Sequence, residues 1–404
     1  MLESKPLISR GDLNRDSLQG QVAVVTGAGR GIGFETARAL AWLGAHVIIA
    51  EIDHDTGSRA AEDINREMGE DAACFIATDV GDISSIEDMA HQVLEKKGKI
   101  DIVINNATVT PMGAVQDVSI EEWDYSYRVN LQGPVMLART FLPGMLKRDY
   151  GVFVCVSSVG EAYMGAYESL KAAQIHLGST LDAELEETGV IAFAIGPGLV
   201  HTPGALAGIE KLAPLYGKTV EEFFEMSKEQ VISAEGAGAG FAAAVALAKT
   251  FRGMEIDSRS ALRAAGISLP GEQDPEEVEF EETSLTEVIA LCREVRKTIY
   301  EQHQGWLERP LFERQWMLRN FKKVAGMPAE HWLELLDKME QALEEGSFGK
   351  AAALKAPLNK LAGFYKNLQQ LAQGYVKDPV ELEKNLQITR QWQEDAEKLS
   401  DIFQ

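Results

Sequence analysis

A short apolar run that leads through a glycine-rich turn into a helical pattern is the feature that most constrains the fold of this chain. The run covers residues 22–25, and glycines follow at Gly27, Gly29, Gly31 and Gly33. A continuous apolar run of this length is typical of a buried parallel strand. Glycine lets the backbone turn sharply and approach a pyrophosphate at the helix N-terminus. The order therefore predicts a βαβ unit that binds a dinucleotide.

A second predicted strand, 46–50, ends in a carboxylate. Glu51 lies 18 residues after Gly33, and an acid at that place can accept hydrogen bonds from an adenosine ribose and repel a 2′-phosphate. We therefore expect NAD to be favoured over NADP. Arg30 opposes this choice, since a guanidinium in the turn could bind the phosphate. The alternative interpretation makes Glu51 an ordinary solvated acid at the end of a strand.

A phenol and an ammonium stand four residues apart, at Tyr167 and Lys171. The pKa of a free tyrosine is about 10, and a lysine on the same helix face stabilises the phenolate and lowers that pKa. The predicted strand 152–156 ends just before Ser158, whose hydroxyl would polarise a substrate oxygen, with Ser157 as the alternative. This arrangement indicates acid–base chemistry on an alcohol or a carbonyl.

These motifs resemble the short-chain dehydrogenase/reductase family over approximately residues 18–265. The resemblance implies that Asp79 and Val80 contact the adenine ring, and that Asn130 helps to hold a water next to the lysine. It implies catalytic roles for Asn130, Ser158, Tyr167 and Lys171. The cofactor-binding residues would be Gly27, Arg30, Gly31, Ile32, Gly33, Glu51, Asp79, Val80, Asn106, Ala107, Tyr167, Lys171, Pro197, Gly198, Val200 and Thr202.

Three features depart from the pattern of that family. Thr108 replaces the glycine that usually follows Asn-Asn-Ala, and Leu170 stands where a small polar residue is more common. The connection from Ser158 to Tyr167 is several residues shorter than usual. The short connection bears most on Ser158, because both hydroxyls must still reach one substrate oxygen.

Strand and helix patterns alternate up to about residue 265 and are followed by helix patterns alone. The sequence therefore predicts an α/β fold, a Rossmann-type doubly wound parallel sheet, followed by an all-α helical bundle. We expect an N-terminal arm (1–19), a dinucleotide-binding domain (20–268), an acidic linker (269–283) and a C-terminal helical domain (284–404). Residues 271–283 contain seven acids and no base, which is typical of a solvated linker.

The C-terminal part shows several helix boundaries. The segment 284–287 has the pattern of a capping box, Pro310 precedes one helix, Pro328 starts another, and Asp378 is a predicted N-cap. Four or five antiparallel helices joined by short turns would form the bundle. No catalytic group of residues is recognisable in it. We expect its core to contain the tryptophans Trp306, Trp316, Trp332 and Trp392.

Composition excludes several classes of function. The net charge of −23 argues against nucleic acid as a partner. The three cysteines form neither a disulfide framework nor a metal pattern, so we expect a reducing cytoplasm and no catalytic metal. No apolar run approaches the roughly 20 residues of a membrane helix, and the charged N-terminus is unlike a signal peptide.

The sequence favours an NAD(P)-dependent oxidoreductase that interconverts an alcohol and a ketone or aldehyde by hydride transfer. Two alternatives stay open at this point. One is a non-catalytic dinucleotide-binding scaffold whose helical tail recruits a partner, and the other is a nucleotide-sugar epimerase or dehydratase. The family resemblance further implies a small-molecule substrate and a homodimer or homotetramer, built through the helices that contain Asn130 and Tyr167.

Overall fold

The computed structural model divides the chain into two compact units, Met1–Leu269 and Pro270–Gln404. The predicted acidic linker lies outside the described residues from 270 to 281. The structure describes residues 5–69, 71–158, 162–200, 202–226, 231–269, 282–346, 351, 358–375 and 378–402.

The first unit is built on a seven-stranded parallel sheet with the strand order β3-β2-β1-β4-β5-β6-β9. The order reverses between β1 and β4, which is the point where open α/β sheets bind ligands. The predicted fold class is confirmed. The strands are β1 Val22–Thr26, β2 His46–Glu51, β3 Ala73–Ala77, β4 Ile102–Asn105, β5 Gly151–Val156, β6 Val190–Gly196 and β9 Glu255–Asp257, beside a parallel pair of β7 Leu199–Val200 and β8 Val231–Ile232.

Helices cover both faces of this sheet. Alternate residues of β1 enter two different apolar cores, with Ala23 and Val25 in one and Val22 and Val24 in the other. Both faces are buried because parallel strands are covered on both sides. The helices are α1 Gly31–Trp42, α2 His54–Met68, α3 Ile83–Lys97, α4 Ile120–Tyr127, α5 Gly133–Arg148, α6 Gly165–Glu184, α7 Pro203–Leu212, α8 Val220–Met226, α9 Ala234–Ala246 and α10 Ser258–Ala264.

The N-terminal segment packs onto the first unit where the structure describes it. Leu7, Ile8 and Leu18 are buried in the core that contains α1 and α9. The backbone N–H of Leu7 also donates to a carboxylate oxygen of Glu235 at 3.0 Å. Residues 5–19 thus contribute apolar contacts to the sheet unit.

The second unit contains helices only, as far as its residues are described. Its core is aromatic, with Trp306 against Phe321 at 5.2 Å between ring centroids and Phe321 against Phe364 at 4.7 Å. Trp332 is fully buried, whereas the side chain of Trp316 lies outside the described residues. The helices are α11 Glu282–Leu307, α12 Leu311–Ala325, α13 Ala329–Glu344, α14 Leu358–Tyr375 and α15 Pro379–Ile402.

Two of the predicted helix starts in this unit can be compared with the helices of the structure. Asp378 accepts hydrogen bonds from the N–H groups of Val380 and Glu381 at 2.8 and 3.1 Å, so its prediction as an N-cap is confirmed. The predicted start at the capping box 284–287 is wrong, because α11 already begins at Glu282. None of the described helices is both long and apolar enough to cross a membrane.

Candidate active site

The glycine turn after β1 is shaped by two residues in the left-handed region and by close backbone contacts. Gly27 and Gly31 have φ angles of +63° and +60°, which glycine adopts without strain. A Cβ on Gly27 would lie 2.8 Å from the Cα of Ala107, and one on Gly33 would lie 2.3 Å from the carbonyl oxygen of Gly27. The turn therefore requires glycine at these places, and α1 starts directly at Gly31.

The loop after β4 holds the carboxyl end of β1 in place. The buried hydroxyl of Thr26 accepts hydrogen bonds from the N–H groups of Asn106 and Ala107 at 3.1 and 3.0 Å. The amide of Asn106 donates in turn to the carbonyl oxygens of Thr26 and Gly27 at 2.9 and 3.1 Å. These bonds join the two neighbouring strand ends at the switch point of the sheet.

Glu51 lies at the end of β2 with its carboxylate against the glycine turn. One carboxylate oxygen accepts from Gly29 N–H at 3.0 Å, and the other accepts from the N–H groups of Ile52 and Asp53 at 2.9 and 3.2 Å. A carboxylate offers about four acceptor sites, two on each oxygen, so the oxygen that accepts only from Gly29 keeps acceptor capacity for a ligand. Asp53 is used otherwise, because its side chain caps α2 through the N–H of Thr56.

A cavity of about 340 Å³ opens at this edge of the sheet. It brings together most of the predicted cofactor-binding residues from β1, β2, β3 and β4 and from the start of α7. Its lining includes the predicted residues Gly27, Arg30, Gly31, Ile32, Gly33, Glu51, Asp79, Val80, Asn106, Ala107 and Thr202, together with Thr108.

The loop between β6 and α7 contributes to this cavity only at its end. Thr202 lines the cavity and caps α7, where its hydroxyl oxygen accepts from Ala205 N–H at 3.1 Å. Gly198 has a φ of +82°, and Val200 is buried in β7. The described residues that line the cavity do not include five of the predicted cofactor-binding residues, namely Pro197, Gly198, Val200, Tyr167 and Lys171. The predicted cofactor contacts of these five residues stay predictions.

Lys171 is buried inside the first unit. Only 1% of the residue is exposed, and its Nζ donates to the carbonyl oxygen of Val156 at 3.0 Å. The Nζ atom also lies 5.7 Å from the centroid of the Tyr167 ring. Burial lowers the pKa of Lys171 to about 8, since the interior disfavours the charged ammonium.

The hydroxyl of Tyr167 shares side-chain hydrogen bonds with Ser158 and Thr108. Burial nevertheless raises the pKa of Tyr167 to about 12, and the charge of Glu168 raises it further against the effect of the two hydroxyls. We expected Lys171 to lower this pKa. That expectation is wrong for this structure, because removing the phenolate from water outweighs the favourable contacts.

Ser158 is the serine that the structure places beside Tyr167, despite the short connection. Its hydroxyl donates to the carboxylate of Glu168 at 2.7 Å, and burial raises the pKa of that carboxyl group. Ser157 is buried, with its N–H bonded to the carbonyl oxygen of Ile195 at 2.9 Å. Sequence analysis missed Glu168, although an acid directly after the tyrosine of Tyr-x-x-x-Lys was visible.

Asn130 is fully buried and fixed by a network of hydrogen bonds. Its side-chain oxygen accepts from the hydroxyl of Thr108 at 2.8 Å and from Val109 N–H at 3.1 Å. Its amide nitrogen donates to Val109 O at 2.8 Å and to the hydroxyl of Ser126 at 2.9 Å. Its carbonyl oxygen accepts from the amide of Gln174 at 2.6 Å. These bonds fix the orientation of the Asn130 side-chain amide.

The described residues contain no group of three or more His, Cys, Asp or Glu side chains that could hold a metal ion. The cavity and the hydroxyl cluster meet at Thr108, which lines the former and contacts Tyr167 in the latter. The geometry thus combines a glycine-rich turn at a helix N-terminus with a partly buried phenol, a serine and a buried lysine.

Comparison with known proteins places this arrangement among oxidoreductases. A family model described as short chain dehydrogenase matches residues 21–210. An uncharacterized oxidoreductase of Thermotoga maritima is 35% identical over 189 residues, which cover 46% of this chain and 73% of the relative. L-sorbose reductase from Gluconobacter frateurii, solved with NADPH and L-sorbose, has a TM-score of 0.55 at 24% identity and covers 61% of this chain and 96% of its own. NAD+-bound xylitol dehydrogenase has a TM-score of 0.56 at 22% identity, with coverages of 59% and 98%. These two structures show a shared fold.

Proposed function

Because the chain belongs to the short-chain dehydrogenase family and is an oxidoreductase, we propose that it interconverts an alcohol and a ketone or aldehyde at Tyr167. One observation carries this proposal. Thr108 lines the glycine-bounded cavity and also shares a hydrogen bond with the Tyr167 hydroxyl. A phenol that is hydrogen-bonded to a residue of this cavity is placed to exchange a proton with a substrate oxygen.

The residues around the cavity fit a nicotinamide dinucleotide. A side chain on Gly27 or Gly33 would collide with backbone atoms, so glycine allows this close-packed turn, and α1 begins directly after it with N–H groups that can bind a pyrophosphate. Glu51 keeps an acceptor site for a ribose hydroxyl, and Asp79 lines the same cavity, which supports the adenine contact that the family resemblance implies. When bound, the nicotinamide supplies the hydride acceptor for oxidation or the hydride donor for reduction.

We propose NAD as the preferred cofactor. The carboxylate of Glu51 lies against the glycine turn, where it would face a 2′-phosphate with like charge. Arg30 stands at the start of α1 and is exposed, so its guanidinium is well hydrated and its attraction for a phosphate is weakened by the solvent.

The proton-transfer residues would act as follows. Tyr167 exchanges a proton with the substrate oxygen, and Ser158 orients that oxygen beside the phenol. Lys171 is held under the Tyr167 ring by its bond to Val156 O, from where it can reach a cofactor ribose. Asn130 holds Thr108, and through it the position of the Tyr167 hydroxyl. The cluster thus defines one place for the reacting oxygen.

We also propose a homo-oligomer in a reducing, cytoplasmic compartment. Several large apolar side chains on α4 and α5 are exposed, among them Ile120 at 70% and Tyr127 at 49%, and such side chains favour association. The cysteines Cys74, Cys155 and Cys292 are free thiols, which suits such a compartment.

Replacement of Tyr167 by phenylalanine tests the proposed function. The Tyr167→Phe variant should bind NAD with nearly unchanged affinity and lose turnover by a factor of about 10² to 10⁴, the usual contribution of positioned acid–base catalysis. The assay is NADH formation with a panel of sugar alcohols and secondary alcohols. Tyr150→Phe, at a half-exposed tyrosine before β5, is the matched control. Full activity of Tyr167→Phe on a substrate of the wild type would contradict the proposal.

A further inference from the structure

The hydrogen bonds around Tyr167 run in one direction towards a carboxylate. Ser158 has a single hydroxyl proton and donates it to Glu168 at 2.7 Å. In its hydrogen bond with Tyr167, Ser158 must therefore be the acceptor and the phenol the donor. The three side chains form a chain from phenol to hydroxyl to carboxylate.

A second chain of hydrogen bonds leaves Tyr167 through Thr108 and ends differently. The hydroxyl of Thr108 donates to the side-chain oxygen of Asn130. It too can therefore only accept from Tyr167, and the single phenol proton is shared between Ser158 and Thr108. The Asn130 amide cannot reverse, because its nitrogen donates to Val109 O and to Ser126. An amide does not take up a proton at ordinary pH, so this branch positions the phenol without carrying a proton away.

The lysine side of the site offers a poorer exit for a proton. Lys171 is buried, and its Nζ donates to Val156 O. The backbone carbonyl oxygen of Asn130 accepts a hydrogen bond from the amide of Gln174 at 2.6 Å. Glu168, by contrast, is partly exposed, so its carboxylate can pass a proton to the solvent.

We infer that Glu168 is the terminal proton acceptor of this site in alcohol oxidation, reached from the substrate through Tyr167 and Ser158. The inference rests on the proposed function. As the carbinol C–H bond breaks, its electron pair passes as hydride to an oxidised nicotinamide, and the alcohol proton moves to the Tyr167 oxygen. The phenol proton passes to Ser158, the serine proton passes to Glu168, and the carboxyl group releases it to water. Reduction runs the same sequence backwards.

This relay explains how a buried neutral phenol can serve as a base. With its pKa raised to about 12, Tyr167 holds its proton at neutral pH and cannot accept a second one by itself. In the relay it gives up one proton while it receives another, so no free phenolate forms. Burial raises the pKa of Glu168, and the hydrogen bond from Ser158 and the charge of Lys171 oppose that increase.

Glu168→Gln is the test, because glutamine can still accept the serine hydrogen bond but cannot take up its proton. We expect the kcat of oxidation to fall by about 10- to 100-fold, with the KM of the alcohol and the NAD affinity unchanged. Raising the buffer concentration should partly restore kcat in the variant, and Glu168→Asp should retain more activity than Glu168→Gln. Glu184→Gln, at an exposed position of the same helix α6, is the matched control.

A second measurement needs neither cofactor nor substrate. The ultraviolet absorbance of phenolate is titrated in the wild type and in Glu168→Gln, and the Tyr167→Phe variant identifies the contribution of Tyr167 by subtraction. The charge of Glu168 opposes ionisation of this phenol, so the Tyr167 titration should move to lower pH in Glu168→Gln.

The outcomes separate the relay from the proposed function. An unchanged kcat in Glu168→Gln, or a loss of kcat that buffer does not relieve, would overturn the relay while leaving the dehydrogenase proposal intact. A wild type without activity on any alcohol would count against the proposed function. The relay would then be decided by the titration, where an unmoved Tyr167 signal overturns it.

Discussion

Replacement of Lys171 by methionine is expected to stabilise the first unit, because a buried ammonium opposes folding. The pKa of this lysine is about 8 in the folded chain against 10.5 in its ordinary state. A base whose folded pKa lies below its unfolded value weakens the folded state at low pH, and this penalty disappears as the pH rises towards the unfolded pKa. Methionine has a similar length and no charge to desolvate.

The magnitude follows from the two pKa values. At pH 7 the penalty corresponds to about 3 kcal/mol, at pH 9 to about 2 kcal/mol and at pH 10 to less than about 1 kcal/mol. The variant also loses the bond from Nζ to Val156 O, which costs about 1 kcal/mol. We therefore expect a net gain of about 2 kcal/mol at pH 7 that vanishes near pH 10.

Hydrogen exchange in urea is the suitable assay, because amides of β5 and β6 report on the first unit alone. The free energy of unfolding is compared between wild type and Lys171→Met at pH 7 and pH 10. Lys147→Met, at an exposed position of α5, is the control and should show no pH-dependent gain. A gain of equal size at both pH values, or a loss at pH 7, would refute the argument. A stabilised variant without activity would indicate that the lysine is retained for function at the expense of stability.

Three further predictions concern the cofactor, the division into units and the helical unit. Glu51→Gln should reduce the preference for NAD over NADP by about 10-fold, measured by titration of both cofactors; tighter NADP binding by the wild type would contradict the choice of NAD. A chain ending after residue 269 should fold and bind NAD but change its oligomeric state. Light scattering and NAD titration measure these two properties. An insoluble product would show that the C-terminal helices are needed to complete the first unit. Asp378→Ala should lower the stability of the helical unit by about 1 kcal/mol, because α15 loses its N-cap. Thermal unfolding of the full chain measures this change, with Asp401→Ala at the other end of α15 as the control. Equal stability of the two variants would argue against the cap.

Local patterns in the sequence were sufficient to predict the fold and to select the glycine turn, Glu51 and the Tyr167–Lys171 pair as candidate site residues. The apolar run before Gly27 and the helix after it are determined by contacts between near neighbours, so their order predicted β1, the turn and α1 correctly. The carboxylate that ends β2 and the tyrosine and lysine one helical turn apart are also local features. The local sequence pattern correctly predicted Asp378 as the N-cap of α15. It failed for α11, because the residues of the predicted cap already lie inside that helix.

Only the tertiary structure decided what these groups do to each other. Thr108 follows β4, and Asn130 lies in the helical segment Arg128–Gln132 between α4 and α5, both far from Tyr167 in sequence. Thr108 contacts the phenol and Asn130 bonds to Thr108, and both contacts depend on how the elements of the sheet unit are placed side by side. The sign of the pKa change at Tyr167 was also a tertiary property. A lysine four residues away favours the phenolate, but burial by the surrounding elements disfavours it more strongly. The spacing of residues along the chain determines which side chains can come into contact. The packing of the helices and strands determines how far water is excluded from those side chains. Exclusion of water in turn determines which of them can carry a charge in the folded protein.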